Sequence, residues 1–264
     1  MLPKDFIEKH KVKLDEIETK LCEEALQLMV KSVDVHHNET HVYRMLDYLD
    51  EFLDTEEYKK AAKNIDLKIL FISILWHDAW KSERDPGNIL VLLWDSLREG
   101  IGASLKFQKS AKLAGLDSVG IKKIGYIIRK HSLIQLMPAK GWEAHILSDV
   151  DALDGLNLDR IRLIEKKYLG ERPVTLTNLR LARFSVKLFA KNKSDRSFFS
   201  GWAKEKYVGM REKFLKKAEV ELNEYENLVN LKREGDQVGF ERYLGFMREK
   251  YLVRQENDSQ EDTL

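Results

Sequence analysis

The sequence predicts an all-α protein, and three observations support that fold class. Apolar residues recur at steps of three and four over most of the chain, which is the spacing of one helix face. Only four prolines occur in 264 residues, so few positions interrupt a helix. No stretch of convincing length shows the alternation of apolar and polar residues that is typical of a half-buried strand.

The helical spacing also predicts where the helices and domains begin and end. In chain order the approximate helix ranges are 6–28, 34–53, 66–81, 118–132, 142–153, 159–168, 178–190, 202–231 and 239–254, with residues 89–114 forming one or two helices broken near Gly100 and Gly102. Residues 191–197, KNKSDRS, are expected to form a mobile loop. We divide the chain into a main domain over 1–225, a C-terminal helical extension over 226–254 and a disordered acidic tail over 255–264.

Composition excludes several classes of protein. Lys and Arg number 45 and Asp and Glu 44, and this near balance argues against a general nucleic-acid or membrane binder. A single cysteine, Cys22, excludes a disulfide framework and a zinc site built from several thiolates. The N-terminal stretch MLPKDFIEKHKVKLDEIE has no continuous apolar run, so it is neither a signal peptide nor a membrane span. We therefore expect a cytoplasmic protein, and self-association into a homo-oligomer is left open.

Ionisable residues interrupt the apolar faces of four predicted helices. In FISILWHDAWK, residues 71–81, the apolar face continues into His77, and Asp78 lies one position round. A hydrogen-bonded core histidine or a capping aspartate is the commoner explanation on any single helix. A shared divalent cation explains all four helices together, because neutral imidazoles and carboxylates are its ligands and its charge offsets buried aspartates. The inward residues are His37, His41, His77, Asp78, His131 and Asp149.

These segments resemble, in the same order, the HD-domain superfamily of metal-dependent phosphohydrolases, whose signature is H…HD…D. HHNETHVYRM supplies the first histidine, His41, and ILWHDAWK supplies His77 and Asp78. ILSDVDALDG supplies Asp149, in a run similar to the family pattern DxDxxD that continues through Asp151 and Asp154. IIRKHS and FFSGWAKEKYVGMREKFL also resemble family elements, so the resemblance extends over roughly residues 20 to 225. It implies an HD-domain-like helical bundle with additional C-terminal helices.

The resemblance implies one divalent metal ion as cofactor and hydrolysis of a phosphate ester, in a nucleotide or a related phosphorylated metabolite. The implied metal ligands are His41, His77, Asp78 and Asp149. Members with two metals carry extra histidines after the HD pair, whereas this sequence has none between His77 and His131, so a single ion is expected. Mixed imidazole and carboxylate ligation leaves Mn, Fe, Co, Ni and Mg all open.

The remaining site residues receive candidate roles. We expect Asp78, Lys81 and His131 to be catalytic, and His37, Lys81 and His131 to contact the substrate. Lys81 would neutralise developing phosphate charge, or be a solvated lysine at a helix end. His131 would contact phosphate or protonate the leaving group, and His37 would support a metal ligand or face the substrate.

The sequence is also compatible with two other functions. The first is a non-catalytic HD-fold protein that binds a metal or nucleotide and regulates a partner; a missing ligand would favour it, and none of the four is missing. The second is a purely helical interaction protein, suggested by the charged C-terminal helices, which would leave the inward His and Asp residues unexplained.

Overall fold

The computed structural model describes residues 1–34, 37–84, 89–131, 139–158, 160, 180, 183, 186 and 198–249. Within these residues every regular element is helical, so the all-α prediction is confirmed. None of the described helices is long and apolar enough to cross a membrane. The α-helices are α1 Pro3–His10, α2 Glu16–Val30, α3 Glu39–Leu53, α4 Glu56–Ala61, α5 Leu67–Trp76, α6 Ile89–Ala114, α7 Ser118–Lys130, α8 Trp142–Asp154, α9 Gly201–Arg233 and α10 Gln237–Arg248, with 3-10 turns at Ala62–Asn64 and Lys81–Glu83.

The first predicted helix is two helices in the structure, so the prediction of one continuous helix was wrong. The chain leaves α1 at Lys11, whose φ of 53° lies in the left-handed region and ends the helix. It enters α2 at Asp15, whose side chain accepts a hydrogen bond from the Glu18 amide while the Glu18 carboxylate accepts one from the Asp15 amide. This reciprocal pair satisfies two amides that the helix itself leaves unbonded.

Two further boundaries differ from the prediction. The side chain of Asn38 accepts hydrogen bonds from the amides of Thr40 and His41, so α3 begins at Glu39 and His37 lies in the preceding turn. The predicted break near Gly100 and Gly102 is absent, because α6 runs unbroken from Ile89 to Ala114. A Cβ at Gly102 would lie 2.5 Å from the Trp80 ring, so this glycine allows close packing and does not end a helix.

Helix α5 lies at the centre of the packing and places the HD pair inside the molecule. All seven residues from Leu70 to Trp76 are buried, which is the pattern of a helix covered on every side. It packs against α2, α3, α6, α7 and α8. The indole nitrogen of Trp76 donates a hydrogen bond to the Leu21 carbonyl at 3.0 Å. The helix ends at Trp76, so His77 and Asp78 begin the turn that follows a buried helix.

The chain divides into two compact units. The first comprises Met1–Gly155 and Ser197–Lys206, and the second Leu156–Arg196 and Tyr207–Leu264. In the second unit, the end of α9 and α10 share an apolar cluster of Tyr225, Leu228, Val229 and Met247. The domain limits predicted at 225 and 254 stay a prediction. The predicted helices over 159–168 and 178–190, the loop over 191–197, the end of the last helix and the tail over 255–264 lie outside the described residues, apart from isolated positions.

Candidate metal centre

The structure brings the first histidine of the signature against the HD pair. His41, in the first turn of α3, points its Nε2 at the Nε2 of His77, 3.0 Å away. The Oδ2 of Asp78 lies 3.2 Å from the first nitrogen and 3.1 Å from the second. All three side chains are buried, with Asp78 only 2% exposed. Three potential ligand atoms therefore converge on one buried point, from the first turn of α3 and from the turn that follows α5.

The spacing of these three atoms matches one face of a metal coordination sphere. Adjacent ligands of a six-coordinate ion with bonds of about 2.1 Å lie about 3.0 Å apart. The three separations here are 3.0, 3.1 and 3.2 Å. Two imidazole lone pairs cannot face each other at such a distance without a proton or a cation between them. The arrangement fits a divalent cation without rearrangement of the side chains.

Each histidine is oriented through its other ring nitrogen. The Nδ1 of His77 donates to the Ile74 carbonyl at 2.7 Å, and the Nδ1 of His131 donates to the Ile128 carbonyl at 2.5 Å. The Nδ1 of His41 lies 2.6 Å from the Oδ2 of Asp154. We assign the proton to Nδ1 in all three because their partners only accept hydrogen bonds. In the neutral ring the lone pair is then on Nε2, the atom that faces the common point.

Asp154 is the residue that orients His41. It is fully buried and also accepts hydrogen bonds from Arg44, whose Nε lies 2.5 Å from Oδ1 and whose Nη2 lies 3.2 Å from Oδ2. Arg44 therefore holds the carboxylate, and the carboxylate holds the imidazole. The sequence contained both residues in the motif segments but gave neither this role.

The carboxylate that α8 contributes to the imidazoles is Asp151, whereas the resemblance pointed to Asp149. The ligand atoms of His41, His77 and Asp151 lie within 4.8 Å of one another, and so do those of His77, Asp78 and His131. Neither group contains Asp149. Side chains two positions apart on a helix point roughly 200° apart, so the two aspartates face in different directions.

Asp149 instead binds the segment that leads into α9. Its carboxylate accepts hydrogen bonds from the Phe199 amide at 3.2 Å, the Ser200 amide at 2.9 Å and the Ser200 hydroxyl at 2.7 Å. Three donors on one buried carboxylate are the pattern of a structural anchor at a helix entry. Asp149 is buried, as the sequence predicted, and these three hydrogen bonds join it to the segment that leads into α9.

One buried oxygen supports the presence of a cation. The Oδ1 of Asp78 has no hydrogen-bond partner among the described residues, and the Nζ of Lys81 approaches it only to 3.8 Å. Burying a carboxylate without full compensation costs several kcal/mol, so such an atom needs an explanation. A divalent ion bound to the same carboxylate would offset that cost. The donors at this point are imidazole nitrogens and carboxylate oxygens, which suit the transition metals that the sequence left open.

The electrostatic environment at this point favours positive charge. Burial alone would lower the pKa of His77, but the Asp78 and Asp151 carboxylates and the Ile74 carbonyl together outweigh burial and raise the pKa to about 9. Burial alone would raise the pKa of Asp151, but the neighbouring imidazoles, with His77 first and then His131 and His41, together lower it to about 2. Burial likewise opposes ionisation of Asp78, whereas His77 and Lys81 hold its pKa well below the usual range. The cluster therefore attracts a cation, whether proton or metal.

Lys81 lies beside the cluster with most of its side chain covered, and it is not a solvated helix end. Its side chain is 12% exposed and its ammonium pairs with the carboxylate of Glu99, on α6. The Nζ of Lys81 also lies 3.1 Å from the Nε2 of His37, and the Nδ1 of His37 lies 2.7 Å from the Oδ2 of Asp34. Because an ammonium only donates, His37 accepts through Nε2 and donates through Nδ1. The sequence alone did not indicate that Lys81 pairs with Glu99.

His37 and His131 both lie beside the cluster, and their catalytic and substrate-binding roles stay predictions. The Nε2 of His37 is 3.6 Å from the Oδ2 of Asp78, so it lies beside a candidate metal ligand. The ring of His131 meets that of His77 edge-on, with centroids 5.0 Å apart. Burial lowers the pKa of His37 and of His131, and the neighbouring charges of Lys81 and His77, respectively, lower them further.

Compared with protein-family models, with curated proteins and with solved structures, the chain has no significant match. The case for a metal centre therefore rests on the geometry of the described residues.

Proposed function

We propose that this chain is a divalent-metal-dependent phosphohydrolase that acts on a phosphate ester, in a nucleotide or a related phosphorylated metabolite. The proposal rests on the imidazoles of His41 and His77, which both Asp78 and Asp151 approach, because these residues come from the motif segments that resemble the HD-domain superfamily. Asp151 replaces Asp149 as the proposed ligand from α8. A buried ammonium beside the same carboxylates adds the positive charge that a phosphate substrate requires.

In this proposal each residue has a defined task. His41, His77, Asp78 and Asp151 would hold the ion, with their orientations fixed by hydrogen bonds such as that from His41 to Asp154. When bound, a divalent ion polarises a phosphoryl oxygen and lowers the pKa of water at an open position. Lys81 would stabilise negative charge that develops on the phosphate. His131, held by the Ile128 carbonyl, presents its Nε2 to contact the phosphate or to give a proton to the leaving group.

The test is phosphate release from a panel of phosphate esters that includes deoxynucleoside monophosphates and signalling nucleotides. Protein stripped with a chelator would be resupplied separately with Mn²⁺, Fe²⁺, Co²⁺, Ni²⁺ and Mg²⁺. We expect metal-dependent release of phosphate. Asp78→Ala should abolish it, because this change removes the proposed carboxylate ligand that lies beside both imidazoles. Asp50→Asn, a change on the part of α3 that faces α1, is the matched control and should keep the activity.

One outcome would replace the proposal. If the protein binds one of these metals but releases phosphate from no ester in the panel, the chain is a metal-binding regulatory protein without hydrolase activity. Metal binding should therefore be measured on the same preparations by elemental analysis after gel filtration.

A further inference from the structure

A second cluster of metal-type donors surrounds Lys81. The Nζ of this residue pairs with the carboxylate of Glu99, lies 3.1 Å from the Nε2 of His37 and lies 3.8 Å from the Oδ1 of Asp78. Glu99, His37 and Asp78 are all buried. Two carboxylates and a neutral imidazole are the donors that divalent transition metals prefer. The ammonium thus occupies a position whose surroundings suit a divalent cation.

Asp78 links this position to the candidate metal centre. Its Oδ2 lies 3.1 Å from the Nε2 of His77 and 3.2 Å from that of His41, on the side of the metal centre. Its Oδ1 is on the side of Lys81 and has no hydrogen-bond partner among the described residues. One buried carboxylate therefore faces two cation positions, one with each oxygen. In sites with two metals, a shared carboxylate of this kind holds ions about 3.5–4 Å apart.

We propose that Lys81 is a built-in cation that occupies a second divalent-ion position formed by His37, Asp78 and Glu99. The lysine limits the native protein to one exchangeable ion. It also keeps a fixed positive charge beside that ion whatever the metal supply. The inference rests on the metal centre of the proposed function but not on hydrolysis, and it predicts that removing the ammonium opens the position to a metal.

The test compares the number of Mn²⁺ ions bound by the wild-type chain and by Lys81→Ala. Elemental analysis after gel filtration should give one ion more per chain in the variant than in the wild type. Electron paramagnetic resonance should then show magnetic coupling between two Mn²⁺ ions, because ions about 3.5–4 Å apart interact whereas scattered surface ions do not. An equal number of ions in both proteins would overturn the inference and identify Lys81 as an ion-pair partner of Glu99 only.

Two control variants separate the position from general effects of losing a charge. Lys81→Met removes the charge but fills the space, so it should bind no additional ion. The double variant Lys81→Ala, Glu99→Gln removes one proposed ligand and should also lose the additional ion. An additional ion in both controls would mean that it binds elsewhere, and the inference would be wrong.

Lys81→Ala leaves buried carboxylates unpaired, so a second variant guards against a folding failure. Lys81→Asn is shorter than lysine, offers an amide oxygen as a ligand and should also bind one additional Mn²⁺ when refolded with the metal present. The number of ions bound by the wild type distinguishes this inference from the proposed function. One ion in the wild type and one in the variants supports the metal centre and overturns this inference. No ion in the wild type and one in the variants supports this inference and contradicts the proposed function.

Discussion

The Nδ1 of His41 lies 2.6 Å from the Oδ2 of Asp154, although 113 residues separate them in the chain. This hydrogen bond joins the first turn of α3 to the last residue of α8, and both groups are fully buried. Because a carboxylate that accepts from one imidazole nitrogen makes the other nitrogen a better ligand, Asp154 should influence metal binding without touching the ion.

Replacing Asp154 should therefore weaken metal binding. Asp154→Asn keeps the size of the side chain but removes the negative charge that holds His41 and Arg44. Loss of such a supporting partner typically lowers metal affinity about 10–100-fold, and we expect a decrease in that range. Titration calorimetry with Mn²⁺ would measure it. Asp50→Asn, on the same helix as His41 but bonded to Lys9 and His10, is the control and should bind like the wild type. An unchanged affinity in Asp154→Asn would contradict this role.

Asp149 and Asp151, both on α8, should respond differently to the same substitution. Asp151→Asn should lower Mn²⁺ affinity by about 100-fold or more, because losing a direct ligand costs more than losing a supporting partner. Asp149→Asn should keep the affinity and lower the free energy of unfolding by about 1–2 kcal/mol, since the donors of Phe199 and Ser200 lose a charged acceptor. Calorimetry and urea unfolding would separate the two effects. If Asp149→Asn lowered Mn²⁺ affinity and Asp151→Asn did not, Asp149 would be the ligand.

The helix spacing predicted most of the fold but not every boundary. Helices such as α7 and α8 were predicted within two residues at each end. Their apolar spacing and the loop residues beside them indicate the same boundaries. The break between α1 and α2 was missed because Lys11 adopts a left-handed conformation that its residue type does not signal. A break was predicted at Gly102 because glycine disfavours helices, whereas there it makes room for the Trp80 ring.

The candidate site was predicted less completely than the fold. The resemblance named His41, His77 and Asp78, and the structure brings these together. Choosing between Asp149 and Asp151 requires knowing which side of α8 faces α3. Both sides of α8 are buried, so the positions of its apolar residues do not reveal which side that is. The role of Glu99 was not predictable, because its pairing with Lys81 depends on how α6 packs against the turn after α5. Such partners follow from tertiary contacts and not from local spacing.

Gly102 should be intolerant of any side chain. A Cβ there would meet the Cγ and Cδ2 atoms of Trp80 at 2.5 Å, and the Trp80 ring also packs under the guanidinium of Arg84 at 4.4 Å. We expect Gly102→Ala to lower the free energy of unfolding by about 1–3 kcal/mol, despite the better helix propensity of alanine. Gly209→Ala is the matched control, because no described residue lies within 4 Å of its Cβ position and α9 should gain about 0.5–1 kcal/mol. Chemical unfolding would measure both, and equal effects would refute the packing argument.

Cys22 should make stability fall at high pH. Burial in α2 raises the pKa of its thiol to about 12, from an ordinary value near 9. The thiol is an acid whose pKa is raised only in the folded state. The folded chain therefore resists ionisation of Cys22, whereas in the unfolded chain the thiol ionises freely. The contribution of Cys22 to the free energy of unfolding is therefore complete below about pH 9. It is lost as the pH rises from about 9 toward 12.

The measurement is the free energy of unfolding of the wild type and of Cys22→Ala between pH 7 and 10.5. The difference between the two proteins should shift by about 1 kcal/mol against the wild type by pH 10, and comparing them cancels the titration of lysines and tyrosines. At pH 8 a thiol reagent should label Cys22 only after denaturant is added, because the folded chain buries the sulfur. Rapid labelling of the native protein, or parallel pH profiles for the two proteins, would show that the thiol ionises normally in the folded state.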